Sequence, residues 1–189
     1  MSKKIDKIMT PKFRVSFPQV FEAKAAMEGG KEKYSLVMLF DKKTTDITAI
    51  KELIKRTVAE KYPNKVDIPK GFSTPIKDGD EKTYAGYQGA WTCTASSQYA
   101  PGVLDECKVP IINQKDFYAG CYAIATINAY CWSYMGKAGV SLGLQNIMKV
   151  RDGESLAGGS SAESDFDSIE LPDSEEVEEV VGGGLSILD

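Results

Sequence analysis

The chain opens with two segments whose apolar and polar positions follow the period of a β-strand. Residues 12–21 alternate, and Pro18 predicts an edge position or a bend in that strand. Residues 33–40 are apolar on both faces, which is expected of a strand buried on both sides in a closed barrel. The predicted inward face of the first strand consists of Phe13, Val15 and Phe17.

The period then changes to that of an α-helix. Apolar residues recur three and four positions apart, so one face of this helix packs on the core while Lys51 and Lys55 face solvent. Thr44 and Thr45 are both able to cap its first turn, and Pro63 ends it. The predicted buried stripe is Ile47, Ile50, Leu53, Ile54 and Val58.

Three further strands are predicted at residues 88–99, 117–134 and 140–150. Long loops rich in Pro and Gly precede the first two, and Gly136 to Gly139 is predicted to form the turn before the last. The strand at 117–134 has a face of small residues. Its other face carries larger residues, among which Tyr122 and Tyr130 are predicted to pack inside the barrel with Ile124.

This order of elements predicts a mainly β fold: a five-stranded OB-fold barrel with one helix between strands 2 and 3 and long loops. A β-sandwich with one helix is the alternative. We expect residues 1–153 to form the OB-fold domain. Residues 154–189, which are rich in Gly, Ser and acids, are expected to form an acidic, flexible tail.

Charge is divided unevenly along the 189 residues. Residues 1–150 contain 22 Lys and Arg against 15 Asp and Glu, whereas residues 151–189 contain one Arg against 12 acids. A basic body with an acidic tail indicates nucleic-acid binding with a built-in competitor. The charged N-terminus does not resemble a signal peptide, so the sequence predicts a soluble protein of the cytoplasm.

Enzymatic chemistry has little support in the sequence. The chain has no histidine, and its four cysteines form no CxxC pair. Asp78, Asp80 and Glu81 could ligate Mg²⁺ in a metal-dependent nuclease. They alternate with Lys77 and Lys82, however, so a solvated turn is the favoured interpretation. We expect no catalysis, no cofactor and no bound metal.

Aromatic residues interleaved with Lys and Arg give the stronger hypothesis, because single-stranded nucleic acid is held by a cationic groove and by rings on which bases stack. Each ring has an alternative role in the core, and each cation has one on the solvated surface. The net charge of +7 on residues 1–150 favours the binding role. The candidate DNA-binding residues are Arg14, Lys77, Lys82, Tyr84, Tyr87, Trp91, Tyr99, Trp132, Tyr134, Lys137, Lys149 and Arg151.

The C-terminal segment has two interpretations. It is either a solubilising appendage or a mobile polyanion that competes with DNA and recruits partner proteins. Its apolar end, flanked by acids, favours the second. The candidate partner-binding residues are Glu175, Glu176, Glu178, Glu179, Leu185, Ile187, Leu188 and Asp189.

Two stretches, YAGYQGAWTCTASS at 84–97 and GLQNIMKVRDGESLAGGSSAESDF at 143–166, resemble a family of tailed-phage single-stranded-DNA-binding proteins. The resemblance covers residues from about 10 to 166. It implies an OB-fold, sequence-independent binding of single strands, no catalysis, and a role in phage DNA replication and recombination in the cytoplasm of the infected host. The tail ends in Leu188 and Asp189 and not in the aromatic residue found in many such proteins.

Alternatives for both the function and the ligand stay open at this point. A metal-dependent nuclease and a protein-interaction module without DNA affinity are the rival functions, and duplex DNA or RNA are rival ligands. A replication or recombination protein is the expected partner of the tail. An exposed strand edge or an exchanged tail is compatible with a homodimer, and no membrane association is expected.

Overall fold

The computed structural model describes residues 6–158, which contain eight β-strands and one α-helix. In that range no helix is both long and apolar enough to cross a membrane. The elements are β1 (Lys7–Met9), β2 (Phe13–Ala25), β3 (Glu32–Asp41), α1 (Thr48–Lys61), β4 (Ile76–Asp78), β5 (Ala90–Ser97), β6 (Gly102–Leu104), β7 (Tyr122–Tyr134) and β8 (Lys137–Arg151).

Five of these strands close into a ring in the order β2, β3, β5, β8, β7 and back to β2. All neighbours are antiparallel except β5 and β8, which are parallel. The helix α1 lies between the second and third strands of the ring in chain order. This arrangement confirms the predicted OB-fold barrel and its displaced helix. The short strands β1, β4 and β6 extend the sheet at β7, β5 and β8.

The core fills the inside of this ring because alternate side chains of each strand point inward. The strand β3 contributes Leu36, Met38 and Phe40, all fully buried, and α1 contributes its apolar stripe. Burying one such side chain stabilises the fold by roughly 1.5–3 kcal/mol. The Cys131 thiol lies 3.7 Å from the Thr57 carbonyl oxygen, at the contact between β7 and α1.

The first strand differs from its prediction at Phe17. A register shift between Ser16 and Gln19, with φ of 43° at Phe17, interrupts the alternation next to Pro18. Ser16 lies on the outer face, where it is buried against Tyr87, and Phe17 is 51% exposed on the outer face as well. The predicted bend is present, but the inward position predicted for Phe17 is wrong because the bulge changes the side-chain period.

Two local predictions are also corrected. The turn between β7 and β8 consists of Met135 and Gly136, both with positive φ, which suits the twist of a two-residue hairpin. Gly139 therefore belongs to β8. The helix α1 begins without a threonine cap; the Asp46 carboxylate accepts the Thr48 N–H at 2.9 Å.

The small-residue face of β7 points inward: Ala123, Ala125 and Ile127 are buried, as is Cys121 just before the strand. The larger face points outward. Tyr122 and Tyr130 therefore lie on the outer surface, and their predicted packing inside the barrel is wrong. The cause is the strict alternation of β7, which places both tyrosines on the same face as Trp132.

Candidate nucleic-acid interface

The outer face of β3 and β5 carries a row of small polar residues. The strand register aligns Ser35 with Ser96, Ser96 with Gly143, and Gly143 with Asn128. These four residues, which we call the floor, cross four adjacent strands on one face. A Cβ at Gly143 would lie 2.2 Å from the Asn128 side-chain oxygen, so a larger residue there would displace this amide. The Asn128 side chain therefore lies over Gly143, and the floor presents short polar side chains on the outer face.

Next to the floor, the bulge of β2 and the segment 79–89 form an aromatic cluster. The ring centroids of Phe17 and Tyr84 are 5.3 Å apart, and those of Tyr84 and Tyr87 are 5.2 Å apart. The Ser16 hydroxyl donates to the Tyr87 hydroxyl at 3.4 Å. Tyr87 is only 5% exposed, and burial raises its pKa. The cluster thus offers the exposed rings of Phe17 and Tyr84, with Tyr87 as their support.

A second group of rings lies on the β7–β8 hairpin. Tyr130, Trp132 and Tyr134 alternate on its outer face, and Tyr134 pairs with Lys137 beside the turn. Trp132 pairs with Gly139, where a Cβ would lie 2.8 Å from the indole Cζ2 atom. The indole is half-buried against this glycine, and Tyr130 and Tyr134 are exposed. The sequence predicted that Tyr130 packs in the core. Tyr130 is two residues from Trp132 and so lies on the same face of β7, which could have identified it as a surface ring.

Cationic side chains accompany these rings. Lys77 on β4 pairs with Thr92 on the outer face of β5 and is exposed. Lys82 follows the short 3₁₀ turn at 79–81 and is also exposed, while its carbonyl accepts the Gln88 side-chain amide at 3.0 Å. Tyr99, in the loop before β6, is 82% exposed. Each of these three predicted residues is exposed to solvent.

The segment 79–89 is fixed by Lys42. The Lys42 ammonium contacts the carboxylates of Asp78 at 2.5 Å and Asp80 at 2.6 Å. Asp80 also accepts the Gly89 N–H at 2.6 Å, and the Lys42 N–H donates to the Gly89 carbonyl at 2.9 Å. These bonds tie both ends of the segment to the end of β3, and thereby position Tyr84.

The same ion pairs bear on the nuclease hypothesis. Two of its three acids, Asp78 and Asp80, share the Lys42 ammonium, and hydrogen bonds from Lys42 and from backbone amides lower the pKa of both carboxyls. Within residues 6–158, no group of three or more acidic or cysteine side chains is arranged to hold a metal ion. The acids therefore act as structural anchors of the segment.

Two of the predicted DNA-binding residues, Trp91 and Lys149, are held by contacts within the protein. Trp91 is half-buried against the core, with the Lys42 and Lys51 ammonium groups 4.7 and 5.7 Å from its ring centroid. Lys149 contacts the Asp152 carboxylate at 2.7 Å and donates to the Asp116 carbonyl at 2.6 Å. Trp91 is not a freely exposed ring, because it packs against the core beside two lysines. Lys149 is not a freely exposed charge, because Asp152 and the Asp116 carbonyl already contact its ammonium group.

Arg14 and Arg151 lie elsewhere on the outer face. The register aligns Arg14 with Tyr122 and Tyr122 with Arg151, across β2, β7 and β8. The Arg151 guanidinium lies 4.1 Å from the Tyr122 ring centroid. With Lys12 they line a pocket of about 340 Å³, which we call the cationic pocket.

The second and third strands of this five-stranded OB barrel present polar groups between exposed rings and lysines. This is the architecture of oligonucleotide- and oligosaccharide-binding proteins. Comparison with known proteins narrows this class. The family model described as "Enterobacter phage Enc34, ssDNA-binding protein" matches residues 6–180. The chain belongs to this family of phage single-stranded-DNA-binding proteins, which confirms the resemblance read from the sequence.

Individual relatives agree with this assignment. The chain is 35% identical over 182 residues to "Putative protein p50" of Acyrthosiphon pisum secondary endosymbiont phage 1, covering 90% of this chain and 98% of that protein. The single-stranded DNA-binding protein from bacteriophage Enc34, solved in complex with ssDNA, superposes with a TM-score of 0.67 at 23% identity, covering 79% of this chain and 88% of that chain.

The fold extends to a more distant phage protein. The single-stranded DNA binding protein gp2.5 of bacteriophage T7 gives a TM-score of 0.55 at 14% identity, covering 85% of this chain and 99% of that chain. At this level of identity the likeness concerns the fold alone.

Replacing Lys42 with methionine tests the anchoring of segment 79–89. The pKa values of Asp78 and Asp80 lie below their ordinary value of 3.8 in the folded protein, so their stabilisation is present at neutral pH and is lost as the pH falls through the lowered values. We expect Lys42→Met to lower the urea midpoint at pH 7, and the difference from the parent protein to vanish well below pH 3.8.

The exposed Lys77 provides the control, because no ion pair involves it among the described residues. Lys77→Met should leave the urea midpoint unchanged at both pH values. A Lys42→Met deficit that persists undiminished in acid would show that these ion pairs do not fix the segment.

Proposed function

We propose that this protein binds single-stranded DNA without sequence preference across the outer face of β3 and β5. The observation that carries the proposal is the floor of Ser35, Ser96, Gly143 and Asn128, flanked by exposed rings on two separate elements. In an OB-fold the face of the second and third strands is the surface that receives oligonucleotides. In this chain those strands are β3 and β5.

In this proposal each group of side chains has one task. Bases stack on Phe17, Tyr84, Trp132 and Tyr134, and each stacked base contributes roughly 1–3 kcal/mol. Every base has a π-face, so stacking does not require a particular sequence. The ammonium groups of Lys77, Lys82 and Lys137 neutralise backbone phosphates, and Tyr99 adds a ring beside β6. The rings favour single strands because paired bases are already stacked on one another.

We further propose that the protein acts in phage DNA replication or recombination, in the cytoplasm of the infected bacterium, without catalysis of its own. Its acidic tail would compete with DNA for the basic face and bind replication or recombination proteins. The charge split of the sequence supports this role. The eight tail residues named from the sequence, between Glu175 and Asp189, lie outside the described residues.

Truncating one ring tests the stacking role. Tyr84 is half-exposed and contacts Phe17. We expect Tyr84→Ala to weaken binding to oligo(dT) by roughly 1–3 kcal/mol, about 5- to 150-fold in Kd, measured by fluorescence anisotropy of a labelled oligonucleotide.

Tyr84→Phe is the matched control, because it keeps the ring and removes only the hydroxyl. It should bind oligo(dT) as the parent protein does. Equal losses for both variants would assign the effect to the hydroxyl, and no loss for either would remove Tyr84 from the interface.

Removing residues 167–189 tests the competition by the tail. This segment carries eight acidic residues and no basic ones. We expect the shortened protein to bind oligo(dT) more tightly at low salt, with the gain shrinking as salt screens the competing charges. A full-length protein in which these acids are changed to their amides should behave like the shortened one. Unchanged affinity in both proteins would contradict competition.

A further inference from the structure

The cationic pocket lies on the outer surface of the barrel, where β2 pairs with β3 and β7. Its volume of about 340 Å³ is within the range of small-ligand sites. Lys12, Arg14 and Arg151 contribute the cations, Tyr122 contributes a ring, and segment 79–89 lines it through Gly86, Gln88 and Gly89. The stacking hypothesis alone assigns no task to Lys12 or Tyr122.

Positive charge in this pocket is not neutralised by neighbouring side chains. In the described part of the chain, none of the three cations forms an ion pair with a carboxylate. Asp41 is the one acid that lines the pocket, and its carboxylate accepts the N–H groups of Lys43 and Thr44 at 2.8 and 2.9 Å. Three cations against one anion leave the lining with an excess of positive charge that attracts an anion.

The cationic groups are also held in place before any ligand arrives. The Arg14 guanidinium donates to the carbonyl oxygens of Glu154 at 2.8 Å and Gly120 at 3.4 Å. Those carbonyls orient the group without cancelling its charge. The Tyr122 ring has the Arg151 guanidinium at 4.1 Å and the Lys12 ammonium at 5.8 Å from its centroid. A preorganised cluster loses less side-chain entropy when it binds an anion.

The pocket is continuous with the proposed DNA-binding face. Arg14 and Ser16 share the outer face of β2, and Ser16 supports Tyr87 in the aromatic cluster. Gly86 lines the pocket two residues after Tyr84, so one segment borders both surfaces. A ligand that leaves the aromatic cluster along this segment therefore reaches the cationic pocket directly.

We propose that the cationic pocket is a phosphate-binding subsite that holds the backbone of the single-stranded DNA after it leaves the floor and the aromatic cluster. Guanidinium groups pair with phosphate oxygens in a fork geometry that suits Arg14 and Arg151. An acidic peptide would use the same charges but has no need of continuity with the rings. This inference rests on the proposed function, and it adds Lys12 and Tyr122 to the interface.

The test compares two double variants that each remove two positive charges. Lys12→Gln with Arg151→Gln alters the pocket and leaves Arg14 in place, because Arg14 also bonds the backbone. Lys55→Gln with Lys65→Gln changes two exposed lysines on and after α1 and serves as the control. Binding to oligo(dT) is measured over a range of KCl concentrations for both proteins, the parent protein and a series of oligonucleotide lengths.

The slope of the logarithm of the association constant against log[KCl] should become less negative by about 0.7 for each phosphate contact that is lost. We expect a change of about 0.7 to 1.4 in the pocket variant and no change in the control. The effect should be present with long oligonucleotides and absent with the shortest one that still binds. Equal slopes in the pocket variant and the parent protein would overturn the subsite while leaving the proposed function intact, and would favour another anion. Failure of the parent protein to bind oligo(dT) would overturn both.

Discussion

Pairing of β5 with β8 closes the sheet into a barrel, and it does so through two aligned pairs of residues, Ala95 with Leu142 and Ser96 with Gly143. The first pair points inward and is fully buried, whereas the second lies on the outer face. A closed ring has an inside that must be filled with apolar side chains and an outside that is free for function. One short stretch of parallel pairing therefore both completes the core and forms the centre of the floor.

The outer face is organised by rigid supports. Gly143 and Gly139 bring a side-chain amide and an indole close to the sheet, and Lys42 holds segment 79–89 at both ends. A binding surface supported in this way loses little conformational entropy when a flexible strand arrives. The proposed sequence-independent binding would depend on this small entropy loss, because it has no base-specific hydrogen bonds to compensate for a larger one.

The sequence was sufficient for the architecture because hydrophobic period determines the faces of long strands. It predicted the buried stripe of α1 and the position of that helix between the second and third strands. It failed at Phe17, where a bulge changed the period, and at Tyr122 and Tyr130, where the face shared with Ile124 was taken as the buried one. Tertiary contacts decided the rest: neither the ion pairs of Lys42 nor the hydrogen bond from Lys149 to the Asp116 carbonyl can be read from sequence spacing, since their partners lie in other elements.

Binding of single strands by base stacking on the outer face is most directly tested with Trp132 as an optical probe. The chain has two tryptophans, and Trp91→Phe leaves Trp132 as the sole tryptophan, whose emission is excited selectively at wavelengths where tyrosine does not absorb. Titration of this variant with oligo(dT) should quench its fluorescence, and added salt should reverse the quenching as phosphate contacts are released. Binding detected by anisotropy with no change in Trp132 emission would contradict stacking on the hairpin, and the absence of any binding at low salt would contradict the DNA-binding function.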